Sequence, residues 1–212
     1  MIARRFIVIE GNIGAGKTSL VRKIAADYNA RTIYERFEDN PFLPRFYENQ
    51  ERYSFPLELS FLADRYNQLK NELGTMDLFS DFMIADYYFM KSLFFASRTL
   101  SEDEYNLYKQ LFHIIYQQVP KPDLYVYLHS TVKRLLDNIE LRGREYEKQI
   151  QPEYLESIQE AYFNFFKQQN QMRVVIIDNN HIDFVNNQED YSKLCKVILE
   201  QEYPIGTTRI IL

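Results

Sequence analysis

The sharpest chemical signal in this 212-residue chain is Gly11-Asn12-Ile13-Gly14-Ala15-Gly16-Lys17-Thr18, which satisfies G-x-x-x-x-G-K-[ST]. It stands between a β-branched run, Phe6 to Glu10, and a helical stretch reaching about Tyr28. A strand before and a helix after are what the motif requires. The glycines allow a tight wrap, so that backbone N–H groups and the helix N-terminus face phosphate oxygens. Lys17 is then placed for the β- and γ-phosphates, and the Thr18 hydroxyl for Mg²⁺. A bound nucleoside triphosphate, with ATP as phosphate donor, is the expectation.

Neither N-K-x-D nor D-x-x-G occurs, so a guanine-specific switch protein is not indicated. Phosphoryl transfer to a small molecule needs other parts: a carboxylate for the acceptor, a carboxylate on the metal side, and arginines over the phosphates. Glu35 closes a second predicted strand, Thr32 to Glu35, and Asp86 follows a third, Phe82 to Ala85. Arg142 and Arg144 sit in a charged turn, about 142–148, between two predicted helices. A lone charge in a loop is ordinarily solvated. Joint placement at strand ends beside a phosphate loop favours a site instead, because open α/β sheets bind ligands beyond those ends.

The elements that must hold these groups alternate. A long helix is predicted from Ser54, with Pro56 in its first turn, to about Leu73; others cover about 87–97 and 102–118. Ser101 and Glu104 make a capping box for the last of these. A strand from Asp123 to Leu128, a helix from Thr131, a helix from Pro152 to about Gln168, a strand from Val174 to Asp178 and a helix from about Gln188 complete the pattern. Alternation of this kind implies a parallel sheet covered on both faces. The expectation is a three-layer α/β protein of one domain, 1–212, with the strand-like tail 203–212 unassigned.

With 46% hydrophobic and 26% charged residues, disorder is excluded as the main state. A lone Cys195 excludes an internal disulfide and fits a reducing compartment. No apolar run approaches a membrane span of about 18 residues. Phe6-Ile7-Val8-Ile9 behind Arg4-Arg5 is too short for a signal segment and ends at Glu10. A cytoplasmic location without a membrane partner is expected. The net charge of −5 argues against nucleic acid as a partner. His113, His129 and Cys195 are scattered and receive no role. The 17 Tyr and 16 Phe belong mostly to the core, with a few left to line a pocket for a flat ring.

With these residues in this order, the chain resembles the deoxynucleoside kinase family, specifically its bacterial deoxyguanosine and deoxyadenosine kinases, from the phosphate loop to about residue 200. The likeness rests on Glu35 followed by Glu38-Asp39-Asn40-Pro41-Phe42-Leu43 and Phe46-Tyr47, on Arg52-Tyr53-Ser54-Phe55 running to Asp64-Arg65, and on Ile84-Ala85-Asp86-Tyr87. Pro120-Lys121-Pro122-Asp123 and Leu141-Arg142-Gly143-Arg144 with Glu147 complete it. The resemblance implies a P-loop kinase fold, with a mainly parallel central sheet flanked by helices and an arginine-bearing lid. It implies Glu35 as general base toward the 5′-hydroxyl and Asp86 as the metal-side carboxylate of the D/E-R-S motif. Tyr47 and Glu147 match the pair that holds the sugar 3′-hydroxyl, Phe95 an aromatic that stacks on the base, and Arg142 and Arg144 the lid arginines. Asp183-Phe184 resemble the loop around the adenine of ATP. A homodimer built through helices, with the aromatic-rich 87–118 region as a source of surface, is likewise implied. Two residues depart from the pattern: Tyr87 replaces the arginine of D/E-R-S near the 5′-oxygen, and Asn138 stands where an earlier lid arginine often lies.

For the base, Glu58 and Arg65 stand seven apart on the long helix, about 20° apart in projection and ~10 Å along its axis. Phe61 and Leu62 share that face. The family places glutamine at the Glu58 position for adenine or cytosine. A carboxylate, acceptor only, suits the adjacent N1–H and N2–H₂ donors of guanine. Arg65 is then free to donate to O6 and N7, because Lys91-Ser92 stand where the family usually has an aspartate that pairs with it. Deoxyguanosine is favoured over deoxyadenosine. The rival readings are a thymidylate kinase-like nucleoside monophosphate kinase, which needs more positive charge at the acceptor, and a non-catalytic nucleotide sensor.

Overall fold

The computed structural model describes residues 6–36, 40–74 and 79–212, with Tyr146 by its backbone alone. Arg4-Arg5 and Glu38-Asp39 lie outside the described residues. Strands β1 (Phe6–Gly11), β2 (Ala30–Ile33), β3 (Phe82–Ala85), β4 (Leu124–His129), β5 (Arg173–Asp178) and β6 (Gly206–Ile211) form one sheet in the order β2-β3-β1-β4-β5-β6. All five pairings are parallel, with Val8 of β1 opposite both Ala85 and Tyr125. The unassigned tail is therefore the sixth strand, pairing along β5 from Arg173↔Gly206 to Asp178↔Ile211.

Every residue of β1 is buried, and its period-2 alternation feeds two separate apolar layers. Ile7 and Ile9 pack with Leu20 and Ile24 of α1 (Lys17–Asp27) and, further along the same layer, with Leu135 of α6 (Val132–Arg142) and Leu194 of α8 (Gln188–Cys195). Phe6 and Val8 face the layer containing α3 (Gln50–Leu73), α4 (Lys91–Thr99), α5 (Glu102–Tyr116) and α7 (Pro152–Lys167). The aromatic surplus is concentrated in that second layer. Phe89 stacks on Phe112 at 4.9 Å between ring centroids, and Phe94 lies 4.5 Å from Tyr162. Such offset and tilted pairs add about 1 kcal/mol each beyond their buried area.

Several boundaries move for local reasons. The long helix starts at Gln50, capped by the Asn49 side chain accepting from Arg52 N–H, so Pro56 lies inside it and not in its first turn. A short helix α2 (Leu43–Glu48), which sequence periodicity did not reveal, precedes it. The predicted helix 87–97 begins only at Lys91, because Tyr88 N–H is drawn to the Glu10 carboxylate at 2.8 Å. The Ser101–Glu104 box forms as expected, with Glu104 accepting from Ser101 N–H at 3.0 Å. Among the described residues, no helix is long and apolar enough to cross a membrane.

Candidate active site

The loop after β1 is tied down from several sides. The Asn12 amide donates to Leu155 C=O at 2.7 Å, while its oxygen accepts from Ile13 N–H at 2.8 Å. Asn138 donates to Gly14 C=O at 2.8 Å, so this departure from the lid pattern anchors the phosphate loop. Lys17 Nζ donates to the carbonyls of Gly11 and Asn12 at 2.9 Å each. Desolvation, reinforced by the nearby charge of Lys91, lowers the Lys17 pKa to about 8. Phe184 lies over Gly16, where an added Cβ would meet its ring at 2.9 Å; Ala15 C=O accepts from Asn179. Gly14 has φ +83°, and a Cβ there would stand 2.6 Å from the Leu135 carbonyl oxygen. Gly14→Ala is therefore expected to cost about 2 kcal/mol, a fall in Tm of about 4–8 °C for a chain of this size. Thermal melts with and without nucleotide check it, and an unchanged Tm and nucleotide response would show that the loop tolerates the methyl.

Asp86, at the end of β3, joins two parts of the site. One carboxylate oxygen accepts from the Thr18 hydroxyl and the other from Glu35 N–H at 2.8 Å. Burial pushes its carboxyl above the ordinary range. Glu35 does not close strand β2, which ends at Ile33. Tyr34 C=O turns to the Gln68 amide and Glu35 N–H to Asp86, so the ladder stops two residues earlier than expected. This release leaves Glu35 on the wall of the cavity that Ile13, Lys17 and Thr18 of the phosphate loop also line. Its carboxylate is gripped by Arg65 through Nε at 3.0 Å and Nη2 at 2.7 Å, and by Lys91 Nζ. Burial alone would raise its pKa, but Lys91 and Arg65 outweigh that and hold it at about 2.

Two expectations need correction here. Arg65 does not keep all its donors for a ligand: Nε and Nη2 serve Glu35, and Nη1 donates to Ser92 Oγ at 2.7 Å. Ser92 thus takes the place of the aspartate partner, and among the described residues two of the five guanidinium N–H groups remain without a partner. Tyr87 is fully buried and does not line the cavity. Its hydroxyl donates to Gln68 Oε1 at 3.0 Å, and Gln68 in turn holds Tyr34, so Tyr87 braces the segment that carries Glu35.

Beyond Glu35 a cavity opens between α3, α4 and the lid, lined by Phe46, Tyr47, Leu57, Phe61, Phe95 and Tyr154 among others. Aromatic and aliphatic walls at this end, with charged side chains converging at the other, suit a ligand that has a flat ring and a polar, reactive end. Glu58 reaches the cavity from a buried position: one oxygen accepts from Thr99 Oγ1 at 2.9 Å, and the other, Oε2, has no hydrogen-bond partner among the described residues. Burial raises its carboxyl to about 7, against the partial relief of Arg65. At the mouth, Arg142 ends α6 and Gly143 (φ +71°) turns the chain back through a single 3₁₀ turn, Glu145–Glu147. Arg142 grips Glu147 through Nε at 3.0 Å and Nη2 at 2.6 Å, and Arg144 approaches from the other side at 3.4 Å. Asp183 is exposed and occupied with Asn186; it lies on the outer side of the loop whose Phe184 covers Gly16.

Sequence reasoning therefore brought Lys17, Thr18, Glu35, Tyr47, Glu58, Arg65, Asp86, Phe95, Arg142, Arg144 and Glu147 to one cavity. It missed Lys91, Tyr154 and the roles of Leu43 and Phe46 beside Tyr47 in the α2 wall. For Lys91 a signal existed: a lysine opening a helix that has no acidic residue in its first turn.

A six-stranded parallel sheet, a phosphate loop after its central strand and carboxylates at neighbouring strand ends define a P-loop kinase. Comparison with known proteins narrows the class: the deoxynucleoside kinase profile matches residues 7–201, and the chain belongs to the deoxynucleoside kinase family. It is 38% identical over 199 residues to a deoxyguanosine kinase of Bacillus subtilis, covering 92% of this chain and 96% of that one. A deoxyadenosine/deoxycytidine kinase of the same organism is 29% identical, with 89% and 88% covered. A solved deoxyadenosine kinase from M. mycoides superposes with a TM-score of 0.79 over 91% of this chain and 97% of that one, at 23% identity, which supports the fold. The protein is a phosphotransferase acting on deoxynucleosides, which decides against the monophosphate kinase and the sensor.

Proposed function

We propose that the enzyme transfers the γ-phosphoryl group of ATP to the 5′-hydroxyl of a purine deoxynucleoside, deoxyguanosine before deoxyadenosine, in the cytoplasm, as one domain that works as a homodimer. The observation that carries the base assignment is Glu58 Oε2, a buried oxygen of a cavity-lining residue without a hydrogen-bond partner among the described residues. An unpaired buried acceptor costs about 1–3 kcal/mol. Guanine removes that cost by presenting N1–H and N2–H₂ side by side, and the remaining Arg65 N–H groups suit O6. Phe95 supplies the ring beside the base, and Tyr47 with Glu147 the contacts for the sugar 3′-hydroxyl.

Glu35 orients the 5′-hydroxyl and receives its proton. Its low pKa fits a loose phosphoryl-transfer transition state, in which the nucleophile gives up its proton late. Lys17, Arg142 and Arg144 spread the charge of the transferring group. Both arginines share the single Glu147 carboxylate, and phosphate oxygens compete with Glu147 for them. The Thr18 hydroxyl and the Asp86 carboxylate, already in contact, are the hard oxygen donors that Mg²⁺ takes. When bound there, the ion adds positive charge beside the phosphates. Phe184, with Asp183 behind it, borders the donor side of the loop. On the outer face of α5, Leu107, Leu111 and Ile114 are exposed in one stripe, which supports pairing with a second copy.

The test is ADP release with ATP and Mg²⁺, offering the four deoxynucleosides and their monophosphates in parallel. Selective turnover of deoxyguanosine is expected. Glu58→Gln is expected to shift the deoxyguanosine-to-deoxyadenosine ratio of kcat/KM by about 100-fold toward deoxyadenosine, the scale of losing one charge-assisted bond and leaving a donor misplaced. A ratio that does not move retires the base-reading role of Glu58.

A further inference from the structure

Lys91 occupies a position that local physics disfavours on three counts. It is 7% exposed, and a buried ammonium loses its hydration. It is the first residue of α4, where the helix dipole presents positive charge. It also shares the cavity wall with a second ammonium, Lys17, and the two repel. Among the described residues, Glu35 is its hydrogen-bond partner, which leaves two of its three N–H donors unused. Its Nζ lies 5.3 Å from the Phe95 ring centroid, so it stands between the carboxylate and the ring beside the base. Charges that break local rules in this way concentrate at working sites.

We infer that Lys91 is a catalytic cation that neutralises the phosphoryl group as it arrives at the 5′-oxygen. This rests on the reading of Glu35 as the group that binds the 5′-hydroxyl. A hydroxyl bound to Glu35 comes within reach of the ammonium bound to the same carboxylate. In the transfer, the bond from O5′ to the γ-phosphorus forms and the bond from that phosphorus to the β,γ-bridging oxygen breaks. The hydroxyl proton passes to Glu35, and the electron pair leaves with ADP. A dianionic phosphate is thereby delivered beside a carboxylate site. Arg65 is bound to Glu35 and Ser92, with its two remaining N–H groups assigned to the base, Lys17 serves the donor side, and Lys91 has unused donors beside Glu35. Its charge moves from Glu35 in the substrate state to the new phosphate ester in the product state.

The inference predicts different effects on substrate and product, which simple support of the fold does not. In Lys91→Met, kcat is expected to fall by about 30–100-fold, the scale of one charge-assisted hydrogen bond, while the KM for the deoxynucleoside stays within about 3-fold. By calorimetry, the affinity for the deoxynucleoside 5′-monophosphate falls by about 30-fold and that for the deoxynucleoside by less than about 3-fold. Lys91→Arg restores most of the monophosphate affinity. Should the methionine variant fail to fold, Lys91→Gln keeps a donor to Glu35 without the charge and is expected to show the same split. A kcat within about 3-fold of the parent, or equal losses for nucleoside and monophosphate, overturns the inference. Glu35→Gln run alongside separates the two readings. Full turnover there removes the premise, whereas an inactive Glu35→Gln beside an active Lys91→Met removes the role of Lys91 alone.

Discussion

Glu35→Gln is expected to lower kcat by about 10³-fold, in the range for a lost general base, and to leave ATP binding to the phosphate loop intact. The substitution keeps the shape and one acceptor oxygen but removes the charged carboxylate that finally receives the 5′-proton. It also strips two buried cations of their counter-charge, because Arg65 and Lys91 both end on this carboxylate. Stability should therefore fall together with activity. The Glu35 pKa lies at about 2, below its ordinary 4.5. A depressed carboxylate contributes stability that is present above about pH 4.5 and lost as pH falls through the folded value. The difference corresponds to about 3 kcal/mol at neutral pH. Denaturant melts of parent and variant should differ by that amount at pH 7 and converge as pH drops below 4.5. Single-turnover measurements with excess enzyme give the chemical step directly; near-parental turnover would end the assignment of Glu35 as base.

How much of this was legible in the sequence depends on the distance over which each feature is decided. The phosphate loop was legible because its function sits in eight consecutive residues, Gly11 to Thr18, and its context in the strand and helix on either side. Asp86 was legible as a polar residue ending a short buried run. The lid arginines were legible as charges around Gly143, whose positive φ sets the turn. The partners of Glu35 were not, because they come from residues 30 and 56 positions away, and no local period encodes that meeting. Arg65 was read as free for the same reason: its Ser92 partner lies on another helix. The short α2, opened by Pro44 near its start, carries too few turns for a 3.6-residue pattern to show. The tail became β6 through pairing with β5, with alternate residues left exposed on an edge strand, so its pattern did not announce a buried core strand.

The two glutamates of the cavity respond to the same burial with opposite outcomes, and the second yields a stabilising substitution. Among the described residues Glu58 has no ion-pair partner: Arg65 is turned to Glu35 and Ser92, and Thr99 offers one hydroxyl. Burial therefore lifts its carboxyl to about 7 from 4.5. A group raised in this way favours the folded state least at high pH, where the unfolded chain is free to ionise and the folded site resists. The penalty grows from about pH 4.5, levels off above about pH 7, and reaches about 3 kcal/mol. Glutamine is neutral at every pH and keeps an acceptor for Thr99. Glu58→Gln should accordingly raise Tm by about 6–12 °C at pH 8.5 and by less than half of that at pH 5.5, in the absence of nucleoside. An equal gain at both pH values, or a loss, would show that Glu58 is already satisfied as a carboxylate in the folded protein. The expected trade is stability against selectivity: the same free oxygen that destabilises the unliganded enzyme is the one left to read guanine.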